Sequence, residues 1–280
     1  MNINLYNLPS KDGLNLFIRS WLPEKETRAA ILLVHGFSEH SGRYTHWAEK
    51  FTIEGFAVYA VDYRGHGKAQ GLRGHTPSYK NLLDDIETCI DHISEKYDLP
   101  IILYGQSLGG NMVINYDISG RTRLAGIIST SPWLHLVVRP KSIGILLTRV
   151  LRKLTPGLIK GTKLDVNLLS HDPQVAIDYE EDPLTHSFIT PQLFFGAEKA
   201  ARKAMKNTGS LSAPLLMMHG TADLVTSYKA SKKFAEKAEN LGKDITFISW
   251  EGLYHELHNE IGNQQVFCKI MEWLNNEILK

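Results

Sequence analysis

The stretch Pro100–Met112, PIILYGQSLGGNM, decides the fold. An aliphatic run of strand character ends in two glycines that bracket one serine, and a helix-capable segment follows. Gly105-Gln106-Ser107-Leu108-Gly109 matches G-x-S-x-G, in the strand–turn–helix setting this pattern needs when its serine is a nucleophile. The reason is steric. A sharp turn at Ser107 brings both flanking positions against backbone, where only glycine has no Cβ to clash. The helix that follows aims its first amides at any negative charge developing nearby. A plain tight turn is the bland alternative, and the context favours the nucleophile.

Outward from that turn the same rhythm repeats. Apolar runs at 29–36 (AAILLVHG), 56–62 (FAVYAVD), 124–131 (LAGIISTS), 213–220 (APLLMMHG) and 244–252 (DITFISWEG) read as buried strands ending in turn residues. Helical patterns lie between them, at about 43–54, 78–97, 108–119, 226–241 and 259–278. Strands that are apolar throughout and separated by helices predict a mainly parallel sheet covered on both faces. Before the first unit, INLYNLP and LNLFIRSWL joined by SKDG read as an antiparallel hairpin at one sheet edge. About 80 residues between Ser131 and Ala213 carry helical patterning without a convincing strand, too long for a βα connection. They read as a helical lid insertion, 132–212, in an α/β core made of 1–131 and 213–280.

A serine hydroxyl needs a base to take its proton, and the base needs an orienting carboxylate. Around a G-x-S-x-G turn these follow at later strand ends, the acid first and the histidine second. Asp223, in LLMMHGTADLVTS, stands just past a strand in a turn leading to a helix and is the expected acid. A helix N-cap or Asx turn is the alternative reading of it. The last strand runs into WEGLYHELHNE. His255 directly follows its end and is preferred as the base; His258 is read as a capping or core-packing histidine, and His219 as a structural one. The oxyanion needs two backbone donors. Leu108, after the nucleophile, supplies one amide, and Phe37, after His35-Gly36 in LLVHGFSEHSGRY, supplies the other. His35, Glu39, His40 and Arg43 in that loop read as a local hydrogen-bond network rather than a metal cluster.

Composition narrows the field. The 280 residues are 43% apolar and 22% charged, as in a soluble globular protein. A net charge of +1 gives no whole-molecule attraction to nucleic acid or anionic membrane. Cys89 and Cys268 are the two cysteines, far apart and in no CxxC pattern, which argues against a disulfide scaffold and a zinc site. No apolar run reaches the roughly 18 residues of a membrane span, and MNINLYNLPSKDG lacks the pattern of a signal peptide. The expected location is the cytoplasm.

With these residues collected, the chain resembles the α/β-hydrolase superfamily, in its monoacylglycerol lipase and lysophospholipase branch. The matching pieces are HGFSEHSGRY, DYRGHGKAQG, GQSLGG, HGTAD and YHELHNE, in the family's order and, with the lid, over essentially the whole length. The resemblance implies Ser107, Asp223 and His255 as nucleophile, acid and base, with oxyanion amides from Phe37 and Leu108. It departs at two positions: Gln106 stands where monoacylglycerol lipases usually carry His, and Ala69 where GHGxS relatives carry Ser. The expected activity is hydrolysis of lipid-like monoesters, monoacylglycerols or lysophospholipids, through an acyl-enzyme. It needs no metal or organic cofactor and no nucleic-acid partner. A small-ester esterase or aminopeptidase-like hydrolase on the same fold is the nearest rival. A non-catalytic binder of hydrophobic ligands is the more distant one.

Residues 121–164 contain nine Lys or Arg and no Asp or Glu. Within them SIGILLTRVLRKLTPGLIKG groups Arg149, Arg152 and Lys153 on an apolar segment, as in an interfacial helix. Peripheral membrane contact through the lid is the expectation. A helix packed on the core with a merely solvated basic face is the alternative.

Overall fold

Every side chain of β3 (Ala29–Val34) and β4 (Phe56–Asp62) is buried, the pattern of strands packed on both faces. The alternation has period two. Ala30, Leu32 and Val34 enter one core, while Ala29, Ile31 and Leu33 enter the other. Residues of α2 (Tyr79–Ser94), α3 (Leu108–Ile118), α5 (Pro191–Lys206) and α6 (Tyr228–Asn240) fill the first core. Residues of α1 (Thr45–Ile53) and α7 (Gln264–Trp273) fill the second. The computed structural model describes residues 2–121, 124–138, 160–161 and 164–279.

The main sheet has eight strands. Its order is β1 (Asn2–Pro9), β2 (Asn15–Leu22), β4, β3, β5 (Ile101–Gln106), β6 (Gly126–Thr130), β9 (Leu215–Gly220) and β10 (Ile245–Trp250). The expected hairpin β1–β2 is antiparallel and forms one edge. From β4 to β10 all pairings are parallel, so the carboxyl ends of β3, β5, β9 and β10 gather at one side. Local chemistry sets the helix starts: Ser78, Thr190 and Ser227 each accept a backbone N–H of the first turn, and Pro191 follows Thr190 at a position where its missing N–H costs nothing.

The sequence reading is corrected at two places. The last helix begins at Gln264 rather than 259, because Leu257–Asn259 forms a separate 3-10 turn and Gly262, at φ +81°, interrupts the path. Between β6 and β9 there are two short strands, β7 (Lys160–Gly161) and β8 (Phe188–Ile189), paired antiparallel. Strands of two residues are too short to show a period of two. The same excursion holds α4 (Pro173–Glu181) and α5. The grouped Arg149, Arg152 and Lys153 lie outside the described residues.

Candidate active site

Ser107 sits between β5 and α3 with φ +55° and ψ −112°. That is left-handed backbone for a residue with a Cβ, strain on the order of 1–3 kcal/mol. Three hydrogen bonds hold it there. The Ser107 amide donates to Thr130 O at 2.9 Å, and Asn111 and Trp133 amides donate to Ser107 O at 3.0 and 2.9 Å. The flanking glycines are a steric necessity: a Cβ at Gly105 would lie 2.3 Å from Gly109 O, and one at Gly109 would lie 2.1 Å from Val34 O.

Asp223 and His255 meet although 32 residues separate them, because β9 and β10 are parallel neighbours whose ends release both loops on the same side. His255 Nδ1 donates to Asp223 Oδ2 at 2.8 Å. The carboxylate is heavily solvated by protein. His219 Nε2 donates to Oδ2 at 3.0 Å, and the Thr226 hydroxyl lies 2.8 Å from it. Oδ1 accepts the Val225 and Thr226 amides at 2.7 and 2.9 Å. Burial alone would push the Asp223 carboxyl up, but the imidazoles of His255 and His219 hold it far below the usual carboxylate range. His255 feels the reverse balance: burial opposes its charged form, yet Asp223 outweighs that and raises it above an ordinary imidazole. Ser107 is not hydrogen-bonded to this pair; the His255 ring partners are Asp223 and Thr226. The link runs instead through Gln106, whose side-chain amide donates to His255 O at 2.9 Å. Catalytic hydrogen bonds are commonly long before substrate binds.

The loop after β3 is fixed from behind. Gly36 O accepts the Tyr63 hydroxyl at 2.8 Å and His35 Nδ1–H at 2.7 Å. A trans peptide points its C=O and N–H in opposite directions, so these two bonds turn the Phe37 N–H away from Tyr63 and His35. Among the described residues no group accepts a hydrogen bond from the Phe37 or Leu108 amide, which leaves both for a ligand. The loop also abuts the serine, since a Cβ on Gly36 would come within 3.2 Å of Ser107 Cβ. Burial pushes His35 down to about 4, so it stays a neutral donor.

Glu39 and Arg43 form the expected network. Glu39 accepts the Gly36 amide at 2.5 Å and the Tyr44 hydroxyl at 2.8 Å. Arg43 spans Glu39 and Glu256, the residue after His255, at 2.7 Å each. Burial pushes Glu39 up, whereas Arg43 overcomes burial at Glu256 and holds it down to about 2. The excursion joins in as well: His186 N donates to Ser38 O at 3.1 Å, His40 meets Asp182 at 2.7 Å, and Glu256 N donates to Leu169 O at 2.7 Å.

His258 is buried in the core, stacked on Tyr44 at 4.5 Å, and burial pushes it down to about 3. The sequence reading named three residues without their contacts at the site. His219, taken as merely structural, touches Asp223; Gln106 touches His255; Arg43 reaches Glu256 across 213 positions. The first lies four residues before the acid, a spacing that brings the two side chains together only through the turn after β9. The others are tertiary contacts with no local signal.

The family model described as "Serine aminopeptidase, S33" matches residues 25–262. A monoacylglycerol lipase of Mycolicibacterium smegmatis is 30% identical over 94% of this chain and 93% of its own. Phospholipase YtpA of Bacillus subtilis is 31% identical over 85% and 92%. An abhydrolase domain-containing protein of Dictyostelium discoideum is 31% identical over 99% of this chain, which spans 30% of that longer protein. The solved structure of Paleococcus ferrophilus monoacylglycerol lipase superposes with a TM-score of 0.84 at 34% identity, over 92% of this chain and 98% of that one.

Proposed function

This chain belongs to the serine aminopeptidase S33 family and has the α/β-hydrolase fold; from that premise we propose that it cleaves monoacylglycerols to fatty acid and glycerol with Ser107, His255 and Asp223. At the coarser level it is a serine hydrolase of lipid esters. The observation that supports the triad is the His255–Asp223 contact of 2.8 Å on the side of the sheet where Ser107 is held in its strained turn, and the choice of monoacylglycerol leans on the lipase relatives.

In this reading His255 Nε2 accepts the Ser107 proton as the oxygen attacks the ester carbonyl. The Phe37 and Leu108 amides receive the oxyanion. Asp223 holds the ring by its Nδ1–H and stabilises the imidazolium, which then protonates the departing glycerol. Water, deprotonated by the same ring, releases the fatty acid. We read the excursion 132–212 as a lid whose role is to admit the acyl chain and to meet lipid surfaces.

Two substrates compete with this assignment. The phospholipase relative favours a lysophospholipid, whose ester presents the same carbonyl with a charged head. An aminopeptidase needs a free carboxylate for the substrate amine, and of the acids around the base Asp223 is engaged by His255 and His219 while Glu39 and Glu256 are engaged by Arg43. The deciding experiment incubates the protein and Ser107→Ala with monoacylglycerols, lysophospholipids, short nitrophenyl esters and aminoacyl amides. Fastest turnover of monoacylglycerols, lost in Ser107→Ala, supports the proposal; a faster aminoacyl amide overturns it.

A further inference from the structure

Gln106 does more than precede the nucleophile. Its side chain is buried, 1% exposed, between the end of β6 and the base loop after β10. Oε1 accepts the Thr130 hydroxyl and Nε2 donates to His255 O at 2.9 Å. Each end of the amide is thus engaged, and the His255 carbonyl, which can only accept, fixes the NH2 end toward the base loop. Thr130 is the strand partner of Gln106, and its own carbonyl accepts the Ser107 amide. One short assembly therefore ties the backbone of the nucleophile to the backbone of the base.

The need for such a tie follows from topology. β5, which carries Ser107, and β10, which releases His255, are separated by β6 and β9. The ring of His255 is held by Asp223 and Thr226, both on the β9 loop, so those bonds orient the ring relative to β9 and not to Ser107. Gln106 bonds His255 directly from the strand of the nucleophile. We propose that Gln106 is a positioning residue that sets the distance between Ser107 and His255, an inference that rests on the acyl-enzyme reading above. A neutral imidazole at 106 also offers one donor and one acceptor, and a side chain without a donor cannot serve.

The test compares Gln106→Met, Gln106→His and Thr130→Val with the parent. It measures kcat, KM, the pH profile of kcat/KM on a monoacylglycerol, fluorophosphonate labelling rate and thermal midpoint. Misplacing a catalytic group by about 1 Å costs up to roughly 100-fold. Gln106→Met is expected to lower kcat and labelling rate by roughly 10- to 100-fold with KM unchanged. The acid limb moves to lower pH, because a displaced imidazole loses part of the Asp223 field. Gln106→His restores most of the rate, and Thr130→Val shows the same changes in smaller measure. A Gln106→Met protein with a lower thermal midpoint but unchanged kcat, labelling and acid limb overturns the inference, as does a change in KM alone. Should Gln106→Met not fold, an unchanged acid limb and kcat in Thr130→Val overturn it. Ser107→Ala separates the two levels: activity retained there defeats the acyl-enzyme reading, whereas an inactive Ser107→Ala beside a fully active Gln106→Met defeats this inference only.

Discussion

Arg43 grips Glu256 through two hydrogen bonds of 2.7 and 2.8 Å. The same guanidinium holds Glu39, which caps the Gly36 amide, so one cation braces the loops on both sides of the serine. Arg43→Met strands two buried carboxylates, and breaking such a pair costs about 3–5 kcal/mol. Urea unfolding at neutral pH should show that loss. Arg43→Lys should fall between, since an ammonium cannot fork onto both acids. Equal stability of all three proteins would refute the brace.

The acid limb of kcat/KM should report His255. The ring must be neutral to take the serine proton, and Asp223 raises it. Activity should therefore climb with pH through an apparent value above the ordinary imidazole value of about 6.5. Asp223→Asn should move that limb down and lower kcat by a factor on the order of 10⁴. The stability signs are opposite for the two groups. The raised His255 contributes fully below about 6.5 and loses its contribution as pH rises through its folded value. The depressed Asp223 contributes above about 3.9 and loses it as pH falls.

Ser107→Gly should trade activity for stability. Glycine adopts φ +55° without penalty, so the variant should gain about 1 kcal/mol in chemical denaturation while losing all fluorophosphonate labelling. Ser107→Ala keeps the strain and should show the activity loss without the gain. A less stable glycine variant would contradict the strain argument.

His258→Phe should stay active and gain acid resistance. Among the described residues neither buried ring nitrogen of His258 has a hydrogen-bond partner, and the ring stacks on Tyr44. With its folded value down at about 3, the unfolded chain binds a proton there that the folded one refuses. At pH 5 that costs roughly 2 kcal/mol, which phenylalanine removes. Thermal melts at pH 5 and 7.5 would measure it, and an inactive His258→Phe would reopen the choice of base.

Replacing Arg149, Arg152 and Lys153 together by Gln should weaken binding to anionic vesicles, each cation near the surface being worth about 1 kcal/mol. Sedimentation with phosphatidylserine vesicles reads it directly. Undiminished binding would remove the interfacial role of that segment.

Much of this architecture was legible because strong local rules act on it. β4 falls on the very residues whose apolar run announced it, and the sequence predictor for the Ser107 turn, two glycines, reflects carbonyls that leave no room for a Cβ. Asp223 was legible for its place after a strand, but not for the five donors around it, which come from three segments. The split of the final helix depended on the left-handed backbone of Gly262, a choice glycine permits without requiring it. Gln106 read as a departure from a family pattern; its meaning lies in a carbonyl 149 positions away.

β6 and β9 are hydrogen-bonded neighbours, so everything between residues 131 and 214 leaves and rejoins the sheet across a single strand spacing. Recombination can then swap that segment as a cassette without disturbing the register on either side. A graft must meet several conditions: apolar side chains to replace those α5 places in the first core, an acceptor for the Glu256 amide, now met by Leu169, and a donor for Ser38 O, now met by His186 and Tyr179. New diets for this scaffold should arise through exchanges of that kind more readily than through changes in its strands.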